Sequence, residues 1–145
     1  IMEQLAPLGP VYQAGTLSGN PVATACGLAT LEEIARPGFY EALAQRTRAL
    51  VDGLSNAARE TGVPFSADCE GGMFGFFLLP ELPQNYPAVM KSDAPKFGRL
   101  FHGLLERGVY IAPALYEAGF VSSAHTAADI EETVAAAREV FGTLA

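Results

Sequence analysis

The sequence is poor in the residues that mark several large functional classes. It has 145 residues and only two cysteines, Cys26 and Cys69, each among apolar neighbours and with no C-x-x-C pattern or histidine at metal-ligand spacing. That leaves no metal motif and points to buried thiols in a reducing compartment. Nine lysines and arginines stand against sixteen acidic residues, for a net charge of −7, and they form no basic stripe. Nucleic acid is therefore excluded as the expected partner. No apolar run approaches the ~20 residues that span a bilayer, no signal-peptide pattern opens the sequence as given, and a cytoplasmic protein without a membrane partner is the expectation. There is no repeat and no low-complexity segment. What is present, 50% hydrophobic residues against 17% charged ones, suffices for one core but hardly two.

Against that background one stretch stands out, Gly15-Thr16-Leu17-Ser18-Gly19-Asn20-Pro21. Gly15 and Gly19 allow positive φ and close approach to a bound group. Asn20 can cap a helix, and Pro21 suits its first position. The free N–H groups and the positive end of the helix dipole would then face the loop, with the Thr16 and Ser18 hydroxyls beside them, as a phosphate requires. From these seven residues alone the plainer reading, a capped helix after a tight turn, also suffices.

Helical periodicity runs from Pro21 to about Arg36, apolar nearly all round, which implies burial on most faces. After Pro37-Gly38 a second helix of about six turns carries Phe39, Leu43, Leu50, Leu54 and Ala57 on one face, with Gly62 as its C-terminal cap. Arg46, Arg48, Asp52, Arg59 and Glu60 read as its solvated side. Residues 65–69 and the apolar run Met73 to Leu79 predict two strands joined by Gly71-Gly72, with Met73, Phe74, Phe76 and Phe77 in a sheet packed on both sides. Gly75 suggests a bulge or a close backbone approach. Residues 80–92 read as a surface loop, and Asp93 caps a helix bearing Phe97, Leu100, Phe101, Leu104 and Leu105, with His102 on its outer side. Val109-Tyr110-Ile111 predicts a short strand, and residues 116–122 a loop returning to an edge strand. Thr126 and Asp129 predict a capping pair for a last helix with Ile130, Val134, Ala137 and Phe141 inward, preceded by His125, which sets the angle at which that helix starts.

The thirteen residues Gly9 to Pro21 resemble the glutamate-1-semialdehyde 2,1-aminomutase family of class III aminotransferases, which use pyridoxal 5′-phosphate. A second match runs through Gly108-Val109-Tyr110-Ile111-Ala112-Pro113, Glu117-Ala118-Gly119-Phe120-Val121-Ser122 and Ala124-His125-Thr126, so the resemblance covers essentially the whole chain. It implies an α/β (α+β) architecture with a small, mostly antiparallel sheet covered by helices, the C-terminal domain of a fold-type I enzyme. Residues 1–36 would be a remnant of the large cofactor domain and 37–145 the small domain. It further implies an isomerase of tetrapyrrole biosynthesis that makes 5-aminolevulinate by moving an amino group between adjacent carbons, and that must retain a diamine intermediate while doing so. Gly15 and Thr16 resemble the pair that binds the cofactor phosphate of the neighbouring subunit, so the complete enzyme would be a homodimer. Glu117 resembles the catalytic carboxylate that projects toward the substrate amine.

The resemblance also implies that the lysine holding the cofactor lies before Ile1. Ile1 to Leu5 read as the tail of a longer element, and Lys91 and Lys96 flank a helix start rather than a pocket. The chain is thus expected to be an inactive fragment, with residues 1–19 poorly fixed and the helix after Pro21 exposing an apolar face. The family commonly has serine where Ala114 stands, which puts a hydrogen bond from that position in doubt. A class III ω-aminotransferase is the nearest alternative, but such enzymes usually carry an arginine and a Pro-Pro pair in the closing segment, and neither occurs between Gly108 and Glu132. The alternative from another class is a non-catalytic α/β module for dimerisation or ligand binding, which would have no need of a phosphate cradle.

Overall fold

A computed structural model describes residues 1–144. The chain divides into two compact units, Ile1–Pro37 and Gly38–Ala145. The first has a 3-10 turn at Met2–Gln4, a single bridge between Leu5 and Val11, the glycine-threonine loop, and helix α1 over Pro21–Ile34. None of its residues is buried. The expected burial of α1 is therefore corrected: Val22, Leu28 and Leu31 are more than half exposed, and Cys26 is an exposed thiol rather than a buried one. The unit has one long helix and no second element of comparable length, so an apolar circumference finds no cover within it.

The second unit is a three-stranded antiparallel sheet with helices around it, in the order α2 (Phe39–Thr61), β1 (Ser66–Glu70), β2 (Met73–Phe77), α3 (Tyr86–Val89), α4 (Ala94–Glu106), β3 (Gly119–Phe120) and α5 (Ala127–Gly142). The strands lie in the order β1-β2-β3, with Ser66 opposite Phe77 and Met73 opposite Phe120. At three helix ends local chemistry sets the boundary as the sequence suggested. Gly62 ends α2 in the left-handed region at φ 73°, the Asp93 carboxylate accepts the Lys96 N–H at 2.8 Å, and Thr126 with Asp129 forms a complete capping box.

The core gathers the inner faces of α2, α4 and α5, with Leu100, Ala137, Val140 and Phe141 almost completely buried. Helices α2 and α5 approach closely because Gly53 has no side chain where the Val134 methyls lie. Only one face of the sheet is covered. Phe74 and Phe76 pack on the core and Phe65 stacks on Phe76 with centroids 5.5 Å apart, whereas Met73 is 46% exposed. The two-sided packing expected for β2 is thus corrected. On that other face Met73 is exposed and Phe77 is half-buried, outside the core cluster.

Other expectations fail on particulars. Gly75 sits in an unbroken five-pair register with nothing within 4 Å of where a side chain would begin, so it is neither a bulge nor a close approach. The loop over 80–92 contains α3, capped by Asn85, whose side chain accepts the Ala88 N–H at 3.0 Å. Residues 109–111 alternate half-buried and exposed as a strand would, yet lie outside the ladder. Cys69 is half-buried on β1, and partial burial pushes its thiol up against the opposing pull of Arg48. The charges on α2 read as solvated stay exposed at Arg48 and Glu60, which also form ties: Arg48 donates to the Cys69 carbonyl at 3.2 Å, and Arg138 of α5 pairs with Glu60 at 2.8 Å. Among the described residues no helix is long and apolar enough to cross a membrane, and no group of three or more metal-binding side chains occurs.

Candidate functional site

The sequence-predicted site residues fall in both units, Gly15 and Thr16 in the first and Glu117 in the second. In the first, two tight turns shape the loop: Ser18 N–H donates to the Gly15 carbonyl at 2.9 Å and Asn20 N–H to that of Leu17 at 3.1 Å. Gly19 lies at φ 74°, a region only glycine takes readily, while Gly15 does not. A Cβ at Gly15 would meet the Ser18 hydroxyl, which would have to rotate away.

The start of α1 is not the donor array that was expected. The Asn20 side chain accepts the Val22 and Ala23 N–H groups at 3.0 and 3.2 Å, Thr24 N–H donates to the Asn20 carbonyl, and Pro21 has no N–H. The first turn is therefore closed by its own cap. What stays open is the loop itself, because among the described residues the backbone N–H groups of Gly15, Thr16 and Leu17 have no intrachain acceptor. Residues 15–17 are exposed, so these N–H groups and the Thr16 hydroxyl are open to solvent.

In the second unit a cleft of about 400 Å³ lies beside the sheet. Phe74, Phe76 and Phe97 form its apolar floor, residues 110–115 one wall, and residues 117–120 the rim. The rim is anchored at both ends. Leu115 is buried, and the Phe74 ring covers Gly119 so closely that a Cβ there would strike it. Between these anchors Glu117 turns back, its N–H 3.4 Å from the Ala114 carbonyl, and it is exposed at the cleft mouth. Among the described residues it is the only charged side chain lining this cleft, and no arginine or lysine lines the cleft beside this carboxylate.

Ala114 lines the same cleft with a methyl group that can make no hydrogen bond. Neither lysine lines it: Lys91 is exposed before α4, and Lys96 lies in the first turn of that helix. His102 is exposed on α4, as its position opposite the apolar face predicted. Tyr110 was missed as a wall of the cleft. It stands edge-on to Phe101 at 6.2 Å, and its three-residue setting gave only a strand pattern.

Comparison with known proteins identifies the class to which this helix-flanked antiparallel sheet and its loop belong: the chain is a member of the class III aminotransferases, whose family model matches residues 1–132. Within that family it is 82% identical over 141 residues to the glutamate-1-semialdehyde 2,1-aminomutase of Paracidovorax citrulli, a match that covers 97% of this chain and 32% of the relative. The aminomutase of Acidovorax ebreus is 74% identical over 144 residues, covering 99% and 33%. The chain thus spans about a third of the length of the curated relatives it matches. Among solved structures, an omega-transaminase from Sphaerobacter thermophilus superposes with TM-score 0.80 at 27% identity, covering 99% of this chain and 33% of that one. The small antiparallel sheet flanked by helices is the architecture of fold-type I enzymes of this family over the matched part.

Proposed function

We propose that this chain is part of a pyridoxal-phosphate-dependent aminomutase that converts glutamate-1-semialdehyde to 5-aminolevulinate in tetrapyrrole biosynthesis. The observation that carries the reading is the 82% identity to an aminomutase across 97% of the chain. The cofactor, when bound, supplies an electron sink that makes a C–H proton next to the amine removable. The residues of this chain bind and orient. Gly15 and Thr16 donate to the cofactor phosphate of the neighbouring subunit, through a backbone N–H and a hydroxyl, which makes the complete enzyme a homodimer. Glu117 receives the ammonium of substrate and diamine at the cleft mouth. The lysine that holds the cofactor belongs to the part of the enzyme this chain does not span, so the chain alone is inactive.

An ω-aminotransferase is the second reading, favoured by the superposition on the omega-transaminase. The 82% identity to an aminomutase, against 27% to the omega-transaminase, supports the aminomutase instead. The two readings differ in stoichiometry. The complete enzyme in its pyridoxamine form, given glutamate-1-semialdehyde and no oxo acid, should form 5-aminolevulinate over many turnovers. Turnover that requires an added amino acceptor would overturn the aminomutase reading.

A further inference from the structure

We infer that His125 is a positioning residue for the Glu117 rim, acting through Nδ1 as a hydrogen-bond acceptor in the Nε2–H tautomer; the catalytic part of this inference rests on the substrate-facing reading of Glu117. Strand β3 is only two residues long, pairing Gly119 with Phe74 and Phe120 with Met73. One further bond, Val121 N–H to the Gly72 carbonyl at 2.8 Å, extends the ladder before it runs out. Ser122 has no strand to pair with. Its N–H donates instead to His125 Nδ1 at 3.0 Å.

A backbone N–H can only donate, so the ring nitrogen facing it must present its lone pair, and the imidazole proton is assigned to Nε2. The Ser122 hydroxyl agrees with that assignment. It accepts the Ala124 N–H at 3.3 Å and lies 3.1 Å from the same Nδ1, where it can donate its own proton. His125 N–H returns a bond to the Ser122 carbonyl at 3.3 Å. The ring is in turn held by its backbone, since the next residue, Thr126, is the cap of α5, a helix whose Ala137, Val140 and Phe141 lie in the core. His125 therefore fastens the free end of an edge strand to the start of a helix held in the core.

The fastening matters at Glu117. Among the described residues its carboxylate has no hydrogen-bond or ion-pair partner, so its position depends on the backbone either side of it. On the downstream side that backbone is held at Gly119, Val121 and Ser122. Arg46 adds only longer contacts to the Ser122 and Ser123 carbonyls, at 3.4 and 3.5 Å. Without an acceptor at position 125 the exposed Ser122 N–H turns to water, and the tie between the end of the strand and the start of α5 is lost.

Two measurements test this. Long-range proton–nitrogen correlation of the His125 ring should show the Nε2–H tautomer; an Nδ1–H tautomer overturns the inference, because that nitrogen could not accept. In the complete enzyme, His125→Ala should lower kcat for glutamate-1-semialdehyde about five- to tenfold, the worth of one hydrogen bond, and speed exchange of the Ser122 amide similarly. His125→Asn places an oxygen near Nδ1 and should restore both. An asparagine variant as slow as the alanine variant, or an alanine variant equal to the parent in both readouts, overturns it. Glu117→Gln, run alongside, separates the failures. If glutamine at 117 is harmless, the reading of Glu117 falls, while the tautomer and the exchange of Ser122 still decide the role of His125.

Discussion

Replacing Gly53 with alanine should destabilise the second unit, although alanine is the better helix former. In an open helical position that exchange gains about 0.8–1 kcal/mol. At Gly53 the added Cβ would meet both Val134 methyls, one of them at 3.2 Å and the other in frank collision, where α2 crosses α5. Overpacking of this kind costs about 1–3 kcal/mol, so the gain is cancelled or reversed. Gly98 on α4 supplies the control, with nothing within 4 Å of its would-be Cβ. Gly98→Ala should raise stability, and the difference between the two variants isolates the packing cost at about 1–3 kcal/mol. Urea unfolding followed by circular dichroism measures it, and thermal midpoints should separate by roughly 4–8 °C per kcal/mol. Val134→Ala in the Gly53→Ala background should recover much of the loss, a coupling that distant sites do not show. Gly53→Ala and Gly98→Ala stabilising by the same amount would refute the close approach of α2 and α5.

Three further outcomes are expected. In the complete enzyme Thr16→Ala should weaken cofactor retention by one charge-assisted hydrogen bond, roughly 1.5–3 kcal/mol, while Thr16→Ser largely preserves it; equal affinity in the alanine variant and the parent would remove the hydroxyl from the site. Borohydride reduction of this 145-residue chain with pyridoxal phosphate should leave no near-stoichiometric adduct on Lys91 or Lys96, which mass spectrometry would detect. The Asp129 carboxyl is held below its ordinary range, first by the Thr126 N–H and then by the Thr126 hydroxyl. A folded value below the unfolded one means that its contribution is present above the unfolded carboxylate range and lost as pH falls through the folded value. Asp129→Asn should therefore flatten the acid side of the stability profile, and an unchanged acid slope would contradict the capping role.

Elements with local punctuation were legible in the sequence. Gly62, Asp93 and the Thr126–Asp129 pair each close a helix end with atoms from residues four or fewer positions away, so their geometry follows from spacing alone. Burial was less legible, because it depends on what lies opposite. The apolar circumference of α1 and the aromatic run of β2 carry the same signal whether a neighbour covers them or not, and here α1 has no cover and β2 is covered on one face. The site was legible in part for the same reason. Residues Gly15 and Thr16 could be singled out, but the competition for the α1 donors was decided by the Asn20 side chain, which leaves the loop rather than the helix end as the open array. Tyr110 in the cleft wall and the acceptor role of His125 depend on contacts between segments and had no local pattern.

The most direct test of the account is Glu117→Gln in the complete enzyme, with turnover of glutamate-1-semialdehyde, release of the diamine and the thermal midpoint measured on one preparation. The glutamine keeps the shape of a side chain that makes no intrachain bond, so the midpoint should stay within the small range usual for surface changes. Loss of the charge facing the substrate ammonium should slow turnover or release the diamine by roughly ten- to hundredfold, the worth of one charge-assisted hydrogen bond. Turnover at the parent rate, or a loss of stability as large as the loss of activity, would contradict the assignment of Glu117 to substrate.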